Sequence, residues 1–420
     1  MKAAKLVFVL IMVCAVVPGC QAAKQADTDK ADTSKNIDSS VIVTGNNQFA
    51  VDLYQKLRDT EGNLFFSPYS ISTALAMTYA GARGRTESQM ADVLHFPVSE
   101  AGREQFAAAF GKIIKDLNEK GKEGNYQLSV ANALWGQKGY EFVDEFVELV
   151  NSNYDGRLSE VDFAGATEAA RKIINGWVEE KTNDKIKELI KPGLLDAMTR
   201  LVLTNAIYFK GNWASQFEKD RTAPAPFYLS NGDKIEAAMM NQTGKFFYMQ
   251  ADNFKALELP YVEDELSMVV FLPNKANGLG EFEEKLTNDN LSKWIADLEK
   301  SMVEVKVSIP KFKMTNRFSL ASVLRSMGMT DAFSSSADFS GMSGRRDLYI
   351  SAVIHQAYVD VNEEGTEAAA ATAVTMKLLS TMPAPTPVFR ADHPFVFVIR
   401  DNNTGSVLFV GRVVSPNASE

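Results

Sequence analysis

The chain has 420 residues, of which 45% are hydrophobic and 23% are charged, a composition typical of a folded globular protein. Its formal net charge of -9 at pH 7 argues against nucleic acid as a partner, because phosphate backbones bind positively charged surfaces. Length alone predicts two or three domains.

The N-terminus has the pattern of a secretory signal. Lys2 and Lys5 precede an apolar run at residues 6–17, which is too short to span a membrane. A glycine followed by Cys20 resembles the bacterial box after which a lipoprotein signal is cut and the new N-terminal cysteine is lipidated. We therefore expect residues 1–20 to be a lipoprotein signal peptide. The mature protein would then be secreted across the inner membrane and held at a bacterial membrane by its lipid; an ordinary signal that leaves a free thiol is the alternative.

Residues 21–45 predict a disordered tether between this anchor and a globular head. The stretch is rich in Lys, Asp, Thr, Ser and Asn and has no aromatic residue, so it cannot bury enough apolar surface to fold. A flexible linker of about 25 residues reaches roughly 25–30 Å on average. Apolar residues then recur at helical spacing, which predicts an amphipathic helix at 47–59.

Residues 63–90 predict a short strand, a buried helix and the start of a second helix. The strand ends at Ser67, before a proline, and the apolar helix then runs to about Tyr79. Thr86 followed by Gln89 fits a capping box for the next helix.

Residues 199–209 form a nearly unbroken apolar run, which predicts a strand buried on both faces. The exception is Asn205, whose buried amide needs hydrogen-bond partners. Farther along, residues 280–299 predict a helix, and residues 303–309 alternate as in a strand with one wet face. Residues 393–416 predict a hairpin of two apolar strands.

The stretch EEGTEAAAATAVTMKLLS at 363–380 follows a strand-like run and precedes a proline-rich tract that cannot be helical. At a period of two, one face carries only small side chains, which can pack against a protein core, and the other face is led by a glutamate. The core-facing set is Thr366, Ala368, Ala370 and Thr372, and the water-facing set is Glu367, Ala369, Ala371 and Ala373. Gly365 gives the backbone freedom to bend. An alanine-rich surface helix is the alternative.

Several segments, in order along the chain, resemble one protein family. They are EEGTEAAAATA, the stretch 63–90, LTNAIYFKGNW at 203–213, DFSGMS at 338–343 and the hairpin at 393–416. Together they resemble the serpins, the suicide inhibitors of serine and some cysteine proteases. In that family EEGTEAAAATA is the hinge of the reactive loop, here Glu363, Gly365, Thr366, Glu367, Ala368, Ala369, Ala370 and Ala371.

The resemblance implies one α+β domain at 46–416, in place of the two or three domains that length suggests. It implies the serpin fold, with a large central, mostly antiparallel sheet, smaller sheets, several helices and an exposed reactive loop at about 363–392. It also implies a buried hydrogen-bonded group in the middle and at the top of the large sheet, the serpin shutter and breach, formed by Ser67, Ser70, Asn205, Trp213 and His355.

A serpin-like loop is cut by its target protease and then inserts into the large sheet. Counting the usual hinge length from Glu363 places the cut at Leu379–Ser380, which suits chymotrypsin-like, cathepsin G-like or some elastase-like serine proteases. The loop is longer than is common in the family, so Lys377–Leu378, which suits trypsin-like enzymes, stays open. Leu378 and Met382 are further alternatives, and cysteine proteases are possible targets.

The three histidines, His95, His355 and His393, have no metal-ligand spacing, and the chain has no GxSxG, Walker or dinucleotide-binding motif. We therefore expect a monomeric inhibitor that is not an enzyme and has neither metal nor cofactor. Two rivals stay open: a non-inhibitory serpin-fold lipoprotein for binding or adhesion, and a secreted hydrolase. The small hinge residues favour the inhibitor, because non-inhibitory serpins often carry bulky or charged residues there.

Overall fold

The computed structural model describes residues 38–97, 102–122, 126–154, 156–365 and 385–418. The predicted signal with Cys20, the hinge from Thr366 onward and every candidate reactive bond lie outside the described residues. Residues Asn36–Glu420 group into one compact unit.

The described residues contain ten α-helices. The second of them begins where Ser67 caps it, because the Ser67 hydroxyl accepts a hydrogen bond from the Ser70 amide and a proline occupies the first turn. In chain order the helices are α1 (Ser39–Leu57), α2 (Pro68–Gly81), α3 (Gly84–Leu94), α4 (Arg103–Lys122), α5 (Asp144–Asn153), α6 (Phe163–Lys181), α7 (Leu279–Lys285), α8 (Asn288–Leu298), α9 (Ala321–Met327) and α10 (Ser340–Ser343).

Fourteen strands in the described residues form two sheets. In chain order they are β1 (Leu64–Phe66), β2 (Tyr126–Gln137), β3 (Arg157–Val161), β4 (Leu201–Gly211), β5 (Ala223–Tyr228), β6 (Lys234–Gln250), β7 (Phe254–Pro260), β8 (Leu266–Pro273), β9 (Met302–Pro310), β10 (Phe312–Ser319), β11 (Ala352–Val361), β12 (Val388–Arg390), β13 (Phe395–Asp401) and β14 (Val407–Val413).

One sheet has nine strands in the order β1-β14-β13-β8-β7-β6-β9-β12, with β5 paired to β6. Its strands β13 and β14 are antiparallel neighbours, which confirms the hairpin predicted at 393–416. The last strand, β12, runs parallel to β9 and is the first element after the undescribed loop residues.

The other sheet has five strands in the order β10-β11-β4-β2-β3. Strand β4 is buried on both faces, as its apolar run predicts. Its odd-numbered side chains, such as Leu203 and Ile207, join the main core, while Val202 and Ala206 join a second core that includes residues of α6. The unbroken apolar pattern therefore arises because the sheet has a core on each side.

The predicted boundaries near the N-terminus are wrong. Helix α1 begins at Ser39, so residues 39–45 belong to a helix and not to the predicted tether. The Asp38 side chain caps it by accepting a hydrogen bond from the Ser40 amide (3.0 Å), and Ile42 and Val43 are buried. Burial of this short apolar run outweighs the weak helix propensity of its β-branched residues.

The predicted capping box is also wrong. Helix α3 begins at Gly84, and Thr86 and Gln89 lie inside it. The Thr86 hydroxyl accepts from the amide of Asp338 (2.9 Å), and the Gln89 side chain accepts from the amide of Asp331 (2.8 Å). Both side chains therefore satisfy the backbone of a distant loop, which local spacing cannot reveal.

The helix predicted at 280–299 is divided in two. Helix α7 ends at Lys285, and Thr287 caps α8 by accepting a hydrogen bond from the Asn290 amide (3.2 Å). The threonine hydroxyl competes for backbone partners and so favours a helix start over a helix interior.

Candidate functional site

The candidate site begins at the centre of the five-stranded sheet, where β4 and β11 run parallel. Their pairing stops at Tyr208 and Tyr358, although β4 continues to Gly211 and β11 to Val361. The outer neighbours β2 and β10 are both antiparallel to this pair. The ladder between β4 and β11 is therefore open at their carboxyl ends.

Side chains from four strands form one row across this sheet. Asn205 of β4 lies opposite His355 of β11 and also opposite Asn132 of β2. His355 in turn lies opposite Phe318 of β10, and their ring centroids are 6.3 Å apart with an interplanar angle of 12°. Residues directly opposite each other project from the same face, so the three polar side chains can meet.

The row contacts the start of α2, which supplies two serines. The Ser67 amide donates to His355 Nε2 at 3.1 Å. Asn205 Nδ2 donates to the Ser70 carbonyl at 2.8 Å and also to Ser70 Oγ and Asn132 Oδ1. These five residues, which we call the central cluster, are each at most 5% exposed. Its buried polar groups therefore satisfy one another without solvent.

Both ring nitrogens of His355 have partners, which fixes its tautomer. Nε2 accepts from the Ser67 amide, so Nδ1 carries the proton and donates to Asn205 Oδ1. Burial lowers the pKa of His355 from 6.5 to about 3, although the hydrogen bond with Asn205 acts in the opposite direction. A second proton on Nε2 would point at the Ser67 N–H, so the cluster requires a neutral imidazole.

The structure brings Ser67, Ser70, Asn205 and His355 together, and it adds Asn132, which the sequence did not single out. The signal for Asn132 was weak, because one asparagine in an otherwise apolar strand has no partner until the register of β2 against β4 is known. Trp213 is not part of the central cluster.

Trp213 lies instead where the chain leaves β11 and passes the end of β4. Gly365 forms an isolated antiparallel bridge with Asn212, and its φ is 119°. A Cβ atom at Gly365 would lie 2.4 Å from the Gly211 carbonyl oxygen and 2.5 Å from the Trp213 amide nitrogen. Only glycine fits this close approach, so residue 365 is held against the carboxyl end of β4.

The Trp213 ring fixes the turn that precedes Gly365. Its Nε1 donates to the Asn362 carbonyl at 3.0 Å, and its amide donates to the Glu364 carbonyl at 3.2 Å. The ring also stacks on Tyr261, with centroids 4.6 Å apart and an interplanar angle of 15°. The base of the hinge is therefore bound to the body of the protein through both backbone and ring contacts.

Glu363 is the buried charge of this region, with 5% of its surface exposed. Its carboxylate pairs with Lys311 Nζ at 2.8 Å and accepts from Thr222 Oγ1 at 2.8 Å. Burial acts to raise the pKa of Glu363, but hydrogen bonds from Lys311, its own backbone and Thr222 outweigh it and hold the pKa below its ordinary value. Glu363 is therefore ionised at neutral pH.

Glu364 makes a more exposed ion pair. Its carboxylate contacts Lys219 Nζ, and that hydrogen bond raises the pKa of Lys219. Its carbonyl accepts from Gln216 Nε2 at 3.3 Å. We call Trp213, Lys311 and residues 363–365 the hinge anchor, because together they attach the end of β11 to the body of the protein.

The comparisons with known proteins agree on one family. The family model described as serpin, serine protease inhibitor, matches residues 44–416. The chain belongs to the serpin family. The human leukocyte elastase inhibitor is 45% identical to it over 89% of this chain and 99% of the relative. The Xenopus tropicalis leukocyte elastase inhibitor is 44% identical over 88% of this chain and 97% of the relative.

Solved serpin structures share its fold. The Arabidopsis AtSerpin1 structure in its native stressed conformation aligns with a TM-score of 0.81 and 31% identity, and covers 91% of this chain and 100% of that one. Uncleaved ovalbumin aligns with a TM-score of 0.79 and 34% identity, and covers 89% of this chain and 100% of that one. The predicted α+β serpin fold is confirmed, but Asn205 and His355 lie in the five-stranded sheet and not, as predicted, in the larger one. The prediction of a serine protease inhibitor rather than an enzyme is also confirmed.

The described residues of this serpin meet the requirements of neither a metal site nor a membrane-spanning helix. No group of three His, Cys, Asp or Glu side chains there is placed to hold a metal ion. No helix in the described part of the chain combines the length and apolar character needed to cross a membrane.

Proposed function

We propose that this serpin traps its target protease by inserting its cleaved reactive loop, from Thr366 onward, between β4 and β11. The parallel pairing of these two strands supports the proposal most directly. A segment that turns back from the end of β11 runs antiparallel to β11 and therefore antiparallel to β4 as well. One inserted strand would replace a parallel ladder by two antiparallel ladders, which are slightly more stable per residue. This is strand addition, of which serpin loop insertion is an established case.

Insertion would have to break the contacts of the central cluster that join β4 to β11. Neighbouring strands lie about 4.8 Å apart, so an inserted strand would move β4 and β11 to roughly twice that distance. The direct hydrogen bond between His355 and Asn205 cannot span the new separation. The cluster is neutral and made of small polar groups, so new backbone neighbours can replace the lost bonds.

The free energy of insertion would be large enough to deform a protease. The fourteen residues from 366 to 379 at roughly 3.3 Å each would carry an attached protease about 45 Å. A dozen new ladder hydrogen bonds at about 1 kcal/mol each give on the order of 10 kcal/mol. This matches the stability of a whole domain, so a trapped acyl-enzyme could be distorted before it is hydrolysed.

The hinge composition supports inhibition over the non-inhibitory alternative of binding or adhesion. Residues 366 and 368–371 are a threonine and four alanines, and none has a large or charged side chain. Small residues can enter a sheet that has a packed core on each face, whereas a charged side chain would be desolvated there.

The decisive experiment compares intact and cleaved protein. After a single cut in the loop, the melting temperature should rise well above that of the intact chain, and a target protease should form a complex that survives SDS. Equal melting temperatures before and after cleavage would refute insertion.

For the reactive bond we propose Leu379–Ser380, with Lys377–Leu378 as the second candidate and Leu378 or Met382 as further ones. The names of the two relatives, leukocyte elastase inhibitors, support an elastase-like or related serine protease as the target. A trypsin-like enzyme would use Lys377, and cysteine proteases are further candidate targets. Mass spectrometry of the peptide released from a trapped protease identifies the bond, since each candidate leaves a peptide of different mass.

We propose further that the protein is a bacterial lipoprotein, exported across the inner membrane and anchored to the outer membrane or cell surface through Cys20. The lysines, apolar run and glycine-cysteine junction at its N-terminus support this. The predicted tether would now end at residue 38, before α1. In a bacterial host, Cys20→Ser should move the protein from the membrane fraction to the soluble fraction. Equal membrane association of the Cys20→Ser variant would refute the anchor.

A further inference from the structure

A groove of about 260 Å³ lies on the nine-stranded sheet, outside the site described above. It is formed where β6, β9 and β12 lie side by side, and its lining includes Arg221, Lys306, Ser308, Val388 and Arg390. We call this the cationic groove. Three of these five side chains are positively charged, on a chain whose formal net charge is -9.

The strand registers explain why these side chains converge. Ser308 lies opposite Arg390, and Lys306 lies opposite Val388, so the four project from one face in two adjacent rows. Asn241 of β6, opposite Ser308, donates from its Nδ2 to the Arg221 carbonyl at 2.9 Å. That hydrogen bond holds the residue before Thr222 against the edge of the same face.

Two features of the cationic groove would favour the binding of an anion. Ser308 is 6% exposed, and its hydroxyl lines the groove with no hydrogen-bond partner among the described residues. Lys306 is exposed and makes no ion pair with any described residue. A buried hydroxyl without a partner costs free energy, which an incoming acceptor beside Lys306 would recover.

Acidic groups pair with two of the three cations, and Lys306 is left as the cation without an ion pair among the described residues. Arg221 Nε lies 3.6 Å from the carboxylate of Glu218, and Arg390 Nε lies 3.0 Å from that of Asp392. The first pair is exposed, where ion pairs contribute little, but Asp392 is only 21% exposed and its carboxylate offsets much of the charge of Arg390. The cationic groove therefore keeps a positive character at Lys306.

The groove lies between the two points at which the reactive loop joins the protein. On one side, Arg221 precedes Thr222, whose hydroxyl donates to Glu363 in the hinge anchor. On the other side, Val388 and Arg390 belong to β12, the first strand after the undescribed loop residues. The groove therefore lies beside both attachments of the loop that the target protease would bind.

We propose that the cationic groove is a secondary contact site for the target protease and receives a carboxylate from an acidic loop on the protease surface. The proposal rests on the inhibitory function proposed above. The groove is shallow and rimmed by exposed arginine and lysine side chains, and Val388 beside them is 50% exposed. Arginine beside an exposed apolar side chain is typical of a protein interface. Charges at the rim of an interface act mainly on the rate of association.

The test uses Lys306→Glu in the otherwise complete chain, with Lys234→Glu as the matched control. Lys234 is an exposed lysine at the start of β6, seven residues before Asn241 on the same strand, and the two variants change net charge equally. Association rate constants are measured with chymotrypsin, pancreatic elastase and trypsin at low and high salt. Stoichiometry of inhibition is measured in parallel.

We expect Lys306→Glu to slow association roughly 3- to 10-fold with at least one of the three proteases at low salt, and the difference to shrink at high salt. Lys306→Arg should keep the wild-type rate, and stoichiometry should not change in any variant. Equal rates for Lys306→Glu and Lys234→Glu with all three proteases would overturn the groove proposal alone. A wild-type chain that traps none of them would overturn the inhibitory mechanism and the groove together.

Discussion

The central cluster and the hinge anchor hold the same two strands by different chemistry. In the centre, Asn205 and His355 are neutral, fully buried and satisfied only by each other and by their neighbours. At the carboxyl end, Glu363 and Lys311 form an ion pair that is buried on the carboxylate side and 40% exposed on the lysine side. The centre should therefore respond to loss of a single hydrogen-bonding group, and the hinge anchor to charge and salt.

This difference suggests an order of events during insertion. The hinge anchor is nearer the loop and can exchange its polar contacts with water as it opens. The central cluster is buried away from solvent, so its hydrogen bonds between β4 and β11 can break only when the inserting strand supplies new partners. We infer that opening begins at the hinge anchor and that the central cluster resists opening until the strand arrives.

The largest expected effect tests whether the cleaved loop inserts past the hinge anchor and then past the central cluster. Ala370→Arg places a charge on the face predicted to meet the core, and it should stop insertion beyond the hinge anchor because the guanidinium would be desolvated. The variant should be cleaved as a substrate, with a stoichiometry of inhibition more than about tenfold higher than wild type. Ala371→Arg, on the predicted water-facing side, is the control and should still inhibit. Full trapping by Ala370→Arg would contradict the insertion model.

The next largest effect concerns the central cluster. Asn205→Ala leaves His355 Nδ1 and the Ser70 groups without their partner, so the intact form should lose about 3 kcal/mol of unfolding free energy. The cleaved form should lose less, because there the inserted strand would already separate Asn205 from His355, whereas the contact of Asn205 with Asn132 of β2 does not cross between β4 and β11. Denaturant unfolding of both forms measures the two values.

Thr204→Val is the matched control for this experiment. The Thr204 hydroxyl accepts from Trp135 Nε1 at 2.8 Å, away from the central cluster. Its loss should destabilise intact and cleaved protein alike. If Asn205→Ala also affected both forms equally, the central cluster would be a general core feature and not a lock between β4 and β11.

Low pH should destabilise the folded protein, because it favours protonation of His355 in the central cluster. Its pKa falls from 6.5 in the unfolded chain to about 3 in the folded one, so the unfolded state binds more protons between these values. Stability is therefore fully present above pH 6.5 and falls as the pH decreases toward 3, by roughly 1.4 kcal/mol per pH unit. Unfolding of the intact form between pH 6.5 and 5 should show this as a loss of about 2 kcal/mol.

The lowered pKa of Glu363 has the same sign, since its stabilisation is present above the unfolded pKa and lost as pH falls through the folded one. The two contributions can be separated by substitution. His355→Gln cannot titrate and should therefore reduce the slope of unfolding free energy against pH above pH 5. An unaltered slope in His355→Gln would remove His355 as its cause.

The central cluster was easier to predict from the sequence than the hinge anchor. Asn205 could be found because an amide interrupts an apolar run, and Gly365 because a bend was needed beside a row of small residues. Family resemblance then placed Ser67, Ser70 and His355 beside Asn205. Asn132 could not be found, because its role depends on which strand lies next to β4 and in which register.

The hinge anchor was harder to predict because its bonds join distant segments. Lys311 and Thr222 lie far from Glu363 in the chain, and each is an ordinary polar residue until the fold brings them within 2.8 Å. The predicted start of α1 was wrong for a similar reason. Contacts with the body of the protein decide the state of residues 39–45, and local composition does not record them.

The smallest expected effect separates the two ion pairs of the hinge anchor. Lys311→Met leaves the buried Glu363 carboxylate with only Thr222 and its own backbone, so the intact form should lose about 1–2 kcal/mol. It should also take up a synthetic peptide of residues 366–379 faster than wild type, since the end of β11 would be held less firmly to the body of the protein. Lys219→Met removes the exposed partner of Glu364 and should change neither quantity measurably. If both variants behaved alike, burial of Glu363 would not be what holds the hinge anchor closed, and the proposed order of opening would lose its basis.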